Sequence, residues 1–298
     1  MSVGEVGNLR PGILVDELVI DAAQAAQAAG LAGAASLGSV RSVLWLVPEA
    51  RARLGESAVS IAARQSGPGV HPTSEVHLGP PIPDPEKIIC LGLNYRDHAG
   101  EAQLAAPVAP MLFAKFRNSL VGPTDPIVLP RMSKQVDYEA ELAVVIGATC
   151  KHVTQEHALD YVAGVMAFND VSARDLQMQT SQFTAGKAID TFAPSGPALV
   201  TLDEIPNIHA LGLTTRLNGQ TMQNGSTAHM IFSVAEIVSY LSRLMTLEAG
   251  DIVATGTPAG VGFARRPPVY VAQGDVVEVE VERVGTLRNP VVGPEHAN

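Results

Sequence analysis

One segment restricts this chain more than any other. Val136-Asp137-Tyr138-Glu139-Ala140-Glu141-Leu142-Ala143-Val144-Val145-Ile146 has the apolar content of a strand. Side chains alternate faces along a strand, so Tyr138, Ala140, Leu142, Val144 and Ile146 share one face. Asp137, Glu139 and Glu141 share the other, beside Ala143 and Val145. Three carboxylates on one side of an apolar strand repel one another. Either that face is solvated or a counter-charge sits on it, and hard oxygen donors suit Mg²⁺, Mn²⁺ or Ca²⁺. A second acidic position favours the cation. Val162–Phe168 reads as a strand running into Asn169-Asp170, so Asp170 projects from a strand end. A third oxygen ligand there leaves coordination positions open for substrate and water.

The rest of the composition narrows the class. The chain has 298 residues, 46% of them hydrophobic and 17% charged, which supports a large buried core and excludes disorder. A net charge of −10 argues against nucleic acid or an anionic membrane surface as the main partner. The longest uncharged stretch, Ala22 to Val40, is mostly Ala with Gln24 and Gln27, a poor membrane span. Glu5 precedes Arg10 with no basic-then-apolar pattern, so no secretory signal is expected. Cys90 and Cys150 are too few for a disulfide framework or a Cys-rich zinc site. Both lie in apolar runs and read as buried thiols, from which a cytoplasmic location is expected.

The chain divides in two. Residues 1 to about 80 are Ala-rich, with helices expected over Asp21–Ala29 and Pro48–Arg64. Gly79-Pro80-Pro81-Ile82-Pro83-Asp84-Pro85 cannot continue a helix or a central strand and reads as a linker. The expected division is a small N-terminal α/β domain over 1–82 and a catalytic domain over 83–298. The second part is β-rich. Lys87–Leu93, Asp251–Thr255 and Val276–Val281 join the two strands above, and Ser233 with Glu236 caps a helix. Val277, Val279 and Val281 alternate with Glu278, Glu280 and Glu282, one face in and one wet. The strands do not alternate with helices as βαβ units. The expected class is α+β, mostly β, with a β-roll or mixed β-sandwich as catalytic domain.

Further chemistry-bearing groups flank the acids. His98 and Glu101 are three apart, on one side of a helical turn, where a carboxylate raises imidazole basicity or forms a plain surface ion pair. Arg174 can bind a carboxylate bidentately or pair with Asp175 or another acid; spacing does not choose. Lys187 beside Gly186 can steady an enolate oxygen if it lies near a metal. Gly256-Thr257-Pro258-Ala259-Gly260-Val261-Gly262 lacks the ending of a phosphate loop but lets amides and Thr257 approach an anion. No Gly-x-Ser-x-Gly elbow is present, which disfavours a serine hydrolase.

In order, these segments resemble the fumarylacetoacetate hydrolase family. The matching pieces are Asn94-Tyr95 with His98 and Glu101; Asp137-Tyr138-Glu139-Ala140-Glu141-Leu142; Asn169-Asp170 with Ser172-Ala173-Arg174-Asp175 and Gln177; Gly186-Lys187 with Asp190-Thr191-Phe192 and Gly196-Pro197; and Thr255-Gly256-Thr257-Pro258 with Gly260-Val261-Gly262. They span roughly Pro85 to Asn289. The resemblance implies a β-roll catalytic domain, a homodimer, and a divalent metal, Mg²⁺ first, on Glu139, Glu141 and Asp170. It implies that His98 and Glu101 lie on a mobile segment and activate water, and that Lys187, with Gln177 nearby, steadies the oxyanion. Tyr95, Arg174 and Thr257 are the expected substrate contacts.

The expected reaction is hydrolysis of a carbon–carbon bond in a 2,4-dioxo acid, leaving a pyruvate enolate. The alternatives on the same site are decarboxylation of oxaloacetate, isomerisation of an unsaturated 2-oxo diacid such as 2-hydroxyhepta-2,4-diene-1,7-dioate, and dehydration of a sugar-derived 2-oxo acid. The alternative of another class is a non-catalytic dimeric scaffold that binds a cation. The expected partner is a small 2-oxo acid, with no nucleic acid and no membrane.

Overall fold

A computed structural model describes residues 1–5, 7–101 and 107–296. Four sheets organise it, and the way the largest one rolls determines where the acidic strand ends up.

In the seven-stranded sheet the order is Met111–Lys115, Ile88–Gly92, Ile252–Ala254, Ala140–Ile146, Val162–Asn169, Ala193–Thr201, Leu120–Val121. Neighbours pair antiparallel except Ile252–Ala254 with Ile88–Gly92 and Ala193–Thr201 with Leu120–Val121. The outermost strands, Met111–Lys115 and Leu120–Val121, are joined by Phe116 to Ser119 alone. Laid flat, seven strands span about 29 Å between edges. The connection reaches at most about 18 Å. The sheet therefore has to roll, as the sequence led one to expect, and its two edges face each other.

The second large sheet runs Gln220–Ser226, Gly212–Leu217, Val276–Val281, Gly285–Val292, Ile127–Val128. Alternation along Val276–Val281 is as expected: Val277, Val279 and Val281 are buried and the glutamates between them are partly exposed. These valines pack against Leu142, Val144 and Ile146 of the acidic strand, so one face of that strand belongs to the inter-sheet core. Its other face, with Ala143 and Val145, packs with Met166, Phe168, Ile88 and Cys90. The parity read from sequence therefore holds. Both cysteines are buried free thiols.

Residues before Gly79 form a five-stranded sheet of order Val70–Pro72, Leu18–Asp21, Arg10–Val15, Ser2–Val3, Leu78–Gly79. Helices Ala22–Ala28 and Pro48–Ala62 cover it. Its interior is not isolated. Val40 and Leu44 of a short helix, and Ile82 from the proline-rich segment, share a buried cluster with Ile88 and Cys90. Arg41 fastens the same helix to the larger part, donating to the carbonyls of Ala249 at 2.9 Å and Asp84 at 3.2 Å. No helix of the described residues is long and apolar enough to cross a membrane.

A second fastening is sensitive to pH. His77 Nε2 lies 2.6 Å from Asp125 Oδ1 and its Nδ1 lies 2.8 Å from the Gly4 carbonyl. Both partners accept, so only the protonated ring donates to both. The Asp125 hydrogen bond, reinforced by the Gly4 carbonyl, raises the His77 pKa above the ordinary histidine value. A raised folded pKa gives stability that is complete below the unfolded value and lost as pH rises through the folded one. The Tm difference between the wild type and His77→Gln should therefore be largest near about pH 6 and shrink toward about pH 8. Calorimetry at low ionic strength checks this, and a difference that grows with pH would refute it.

Candidate active site

The acidic strand supplies two carboxylates and its neighbour the third. Ala140–Ile146 pairs antiparallel with Val162–Asn169, with Ala140 opposite Asn169. Just beyond that pair, the Asp170 amide donates to the Glu139 carbonyl at 3.0 Å, so Asp170 faces Glu139 across the ladder's end. Glu139, Glu141 and Asp170 are all buried, and one carboxylate oxygen of each lies within 4.8 Å of the others.

Three buried cations surround them. Lys187 Nζ donates to Glu139 Oε2 at 2.8 Å and Asp170 Oδ2 at 2.7 Å. Lys115 Nζ donates to Asp170 Oδ1 at 2.5 Å and the Val171 carbonyl at 3.0 Å. Arg174 Nη2 lies 2.7 Å from Glu139 Oε1 and 2.8 Å from Asp137 Oδ2, and its guanidinium stacks over the Phe263 ring at 4.3 Å. The cations split the two strand glutamates. Burial alone would raise the Glu139 pKa, but Lys187 and Arg174 reverse this and hold it at about 2. Glu141 touches no cation among the described residues; burial, then Asp170 and Glu139, push its pKa well above the ordinary value. Its Oε2 accepts from the Gly256 amide at 2.9 Å, while Oε1 is buried with no hydrogen-bond partner among the described residues.

That unpartnered oxygen, within an all-oxygen donor set, fits a divalent cation. A bound ion would satisfy Oε1 and relieve repulsion among the three acids. The group could hold a divalent cation, and its donors do not single one out.

The remaining expected site residues fall into two sets. His98 and Glu101 share the helix Arg96–Glu101. His98 Nδ1 lies 3.5 Å from Glu101 Oε2, too long for a well-formed hydrogen bond. The dyad sits near the acids: His98 is one of the groups that lower the Glu139 pKa. Glu101 is anchored by the Gly260 amide, at 3.1 and 3.2 Å from its two oxygens. Burial raises the Glu101 pKa, but His98 and this amide lower it further, to a value below the ordinary one.

The other set is engaged by the protein itself. Arg174 is paired with Asp137 and Glu139 rather than with its neighbour Asp175, and Gln177 Oε1 accepts from Arg174 Nη1 at 3.0 Å. The Thr257 hydroxyl donates to the Ala140 carbonyl and accepts from Gln223 Nε2, both at 2.8 Å, so it secures the loop and has no proton to offer a ligand. Tyr95 is fully buried in the inter-sheet core, with its hydroxyl unpartnered among the described residues. The structure thus gives Tyr95 a place in the packing and Thr257 an anchoring role in the loop. Residues 102–106, which follow the dyad, lie outside the described residues.

Lys115 was not anticipated, and Asp137 was expected only as part of the acidic face. Lys115 ends the apolar run Met111-Leu112-Phe113-Ala114, the same signal, a charge in an apolar run, that marked the acids. Asp137 belongs to the acidic face but not to the cation group. It accepts from Arg174 Nε at 2.9 Å and from the amides of Gly262 and Phe263 at 2.7 and 3.0 Å.

A rolled sheet carrying a buried carboxylate triad with lysine counter-charges and a His–Glu dyad defines a class of enzyme sites. Residues 87–292 match the family described as fumarylacetoacetate (FAA) hydrolase C-terminal. The chain belongs to the fumarylacetoacetate hydrolase family. It is similar to oxaloacetate tautomerase fahd2, mitochondrial, of Xenopus laevis, 46% identical over 243 residues that cover 80% of this chain and 76% of that one. The human oxaloacetate tautomerase FAHD2A, mitochondrial, is 44% identical over 242 residues, covering 80% and 77%. Among solved structures, fumarylacetoacetate hydrolase from psychrophilic Exiguobacterium antarcticum has a TM-score of 0.79 at 37% identity and covers 98% of both chains. The 2-hydroxyhepta-2,4-diene-1,7-dioate isomerase from Mycobacterium marinum has a TM-score of 0.67 at 41% identity, covering 75% of this chain and 81% of that one. The oxaloacetate tautomerase relatives carry mitochondrial names, which overturns the cytoplasmic location expected from two buried thiols. Buried reduced cysteines report a reducing environment, and that does not identify a compartment.

Replacing Asp170 by Asn should lower Mg²⁺ or Mn²⁺ affinity by more than about 100-fold, since losing even an outer-shell partner costs about 10–100-fold. Isothermal titration calorimetry on the folded variant checks this, and wild-type affinity in Asp170→Asn would remove the triad as the cation site.

Proposed function

We propose that this chain catalyses keto–enol interconversion of a 2-oxo dicarboxylic acid of the oxaloacetate kind. The observation that carries the reading is the charge inventory of the buried site. Asp137, Glu139, Glu141 and Asp170 face Lys115, Lys187 and Arg174, one formal negative charge in excess. A divalent cation would turn that excess into one net positive charge, which suits a dianionic substrate and the enolate it forms.

When bound by Glu139, Glu141 and Asp170, such a cation would supply a Lewis acid for a 2-oxo acid. The chain's own residues supply the rest. His98 takes the proton from the carbon beside the keto group. With Nδ1 turned toward Glu101, Nε2 is the nitrogen that exchanges it. Glu101, 3.5 Å from Nδ1, orients the ring. The Lys187 ammonium, held by Glu139 and Asp170, meets the charge that develops on the keto oxygen. Return of the proton from His98 to that oxygen gives the enol. Interconversion needs one mobile proton and no nucleophilic water, and the names of the tautomerase relatives support it.

Hydrolysis of a 2,4-dioxo acid is the second reading, favoured by the description of the matching family. It requires His98 to activate a water and a carbon–carbon bond to break after enolate formation begins. Isomerisation of an unsaturated 2-oxo diacid, the activity named for the M. marinum relative, begins with the same proton removal.

The test follows the enol absorbance of oxaloacetate with Mg²⁺ present, alongside pyruvate release from acylpyruvates. The wild type should accelerate enol–keto conversion, and His98→Asn should reduce kcat by about 100-fold or more. Pyruvate release without tautomerisation would replace the first reading by the second. Neither activity would defeat both.

A further inference from the structure

We propose that Lys115 is a positioning residue that fixes the rotation of the Asp170 carboxylate and so makes the site selective for Mg²⁺ over Ca²⁺. The proposal rests on reading Glu139, Glu141 and Asp170 as cation ligands.

The side chain of Lys115 is fully buried, which is costly for an ammonium without a specific partner. Its partners are Asp170 Oδ1 and the carbonyl of the next residue, Val171. The other oxygen of Asp170 is held by Lys187, which is shared with Glu139. The main chain at Asp170 is tied on both sides. Its amide donates to the Glu139 carbonyl at 3.0 Å, and its carbonyl accepts from the Ser172 hydroxyl at 2.9 Å. With the backbone fixed, the remaining freedom is rotation of the carboxylate. One ammonium on one oxygen leaves that rotation open. A second ammonium, itself anchored to the Val171 carbonyl, closes it.

Rotational precision matters unequally to the two ions. Mg²⁺ demands near-octahedral geometry at about 2.0–2.1 Å, whereas Ca²⁺ accepts irregular coordination at about 2.3–2.6 Å. A carboxylate released to swing loses the first ion far more than the second. Two rival roles predict otherwise. If Lys115 acted only by repelling cations, its removal would tighten both ions. If it only filled space, its removal would lower the Tm and change neither affinity.

The experiment is isothermal titration of the full chain with MgCl₂ and, separately, CaCl₂, comparing the wild type with Lys115→Met, near-UV circular dichroism confirming the fold. The Mg²⁺ Kd should rise about 10-fold or more. The Ca²⁺ Kd should rise less than about threefold. If the Met variant does not fold, Lys115→Gln carries the same test, with a smaller shift because its amide can still donate to Oδ1. Equal changes for the two ions, no change, or tighter binding of both overturns the assignment of Lys115. A wild type that binds neither ion defeats the cation reading itself.

Discussion

The structure depends on compensation of buried charge. Four carboxylates and three cations lie at the end of two strands with almost no water contact. Any one of them alone would be expelled to solvent or neutralised, and removing one partner of a buried pair costs about 3–5 kcal/mol. Together they form a lattice in which Arg174 bridges Asp137 and Glu139, Lys187 bridges Glu139 and Asp170, and Lys115 holds the far side of Asp170. Glu141 is the member left outside the lattice. That asymmetry gives two glutamates two residues apart opposite pKa shifts, and it leaves an unpartnered oxygen at the centre of the site.

Rolling of the large sheet makes such a lattice possible. Lys115 is on one outer strand and Asp170 follows a strand four places away. In a flat sheet no lysine spans that gap. Because Phe116 to Ser119 draws the two edges together, the ammonium reaches across the inside of the curl. The same curl encloses the apolar cluster of Met166, Phe168, Ile88 and Cys90, which forms the dry wall behind the acids.

Much of this was legible in the sequence because period-two patterns are local. The alternation in Val136–Ile146 gave the correct faces, the valine–glutamate alternation gave the middle strand of the second sheet, and Ser233 with Glu236 marked a helix that starts at Val234. Strands with mixed signals were not legible. Ala193–Thr201 contains Pro194, Gly196 and Pro197, and Gly285–Val292 contains Pro290, residues that argue against a strand until tertiary pairing overrides them. Site membership was harder for the same reason. Spacing placed His98 with Glu101 and the family resemblance placed Lys187 near the acids, but whether Arg174 faced substrate or Asp137 depends on a turn at Gly262–Phe263, nearly ninety residues further along. Lys115 sits in a short run after Pro110, and only the rolled sheet gives it an acidic partner.

The glycine-rich loop after Ile252–Ala254 links the two halves of the site. Three of its amides each hold a carboxylate of different use: Gly256 holds Glu141 of the cation group, Gly260 holds Glu101 of the dyad, and Gly262 holds Asp137 behind Arg174. Two of these glycines have backbone angles that other residues resist, φ +95° at Gly256 and +103° at Gly260. At Gly260 a Cβ would also lie 2.4 Å from the Met222 carbonyl oxygen. The loop is in turn pinned to the acidic strand by Thr257, whose hydroxyl donates to the Ala140 carbonyl. Displacement of this one segment would therefore move the dyad and the cation group together. Amide donors rather than side chains do the holding because a backbone N–H carries no charge. It fixes an acid in place without neutralising it, and Glu141, held in this way, has no cation against it among the described residues.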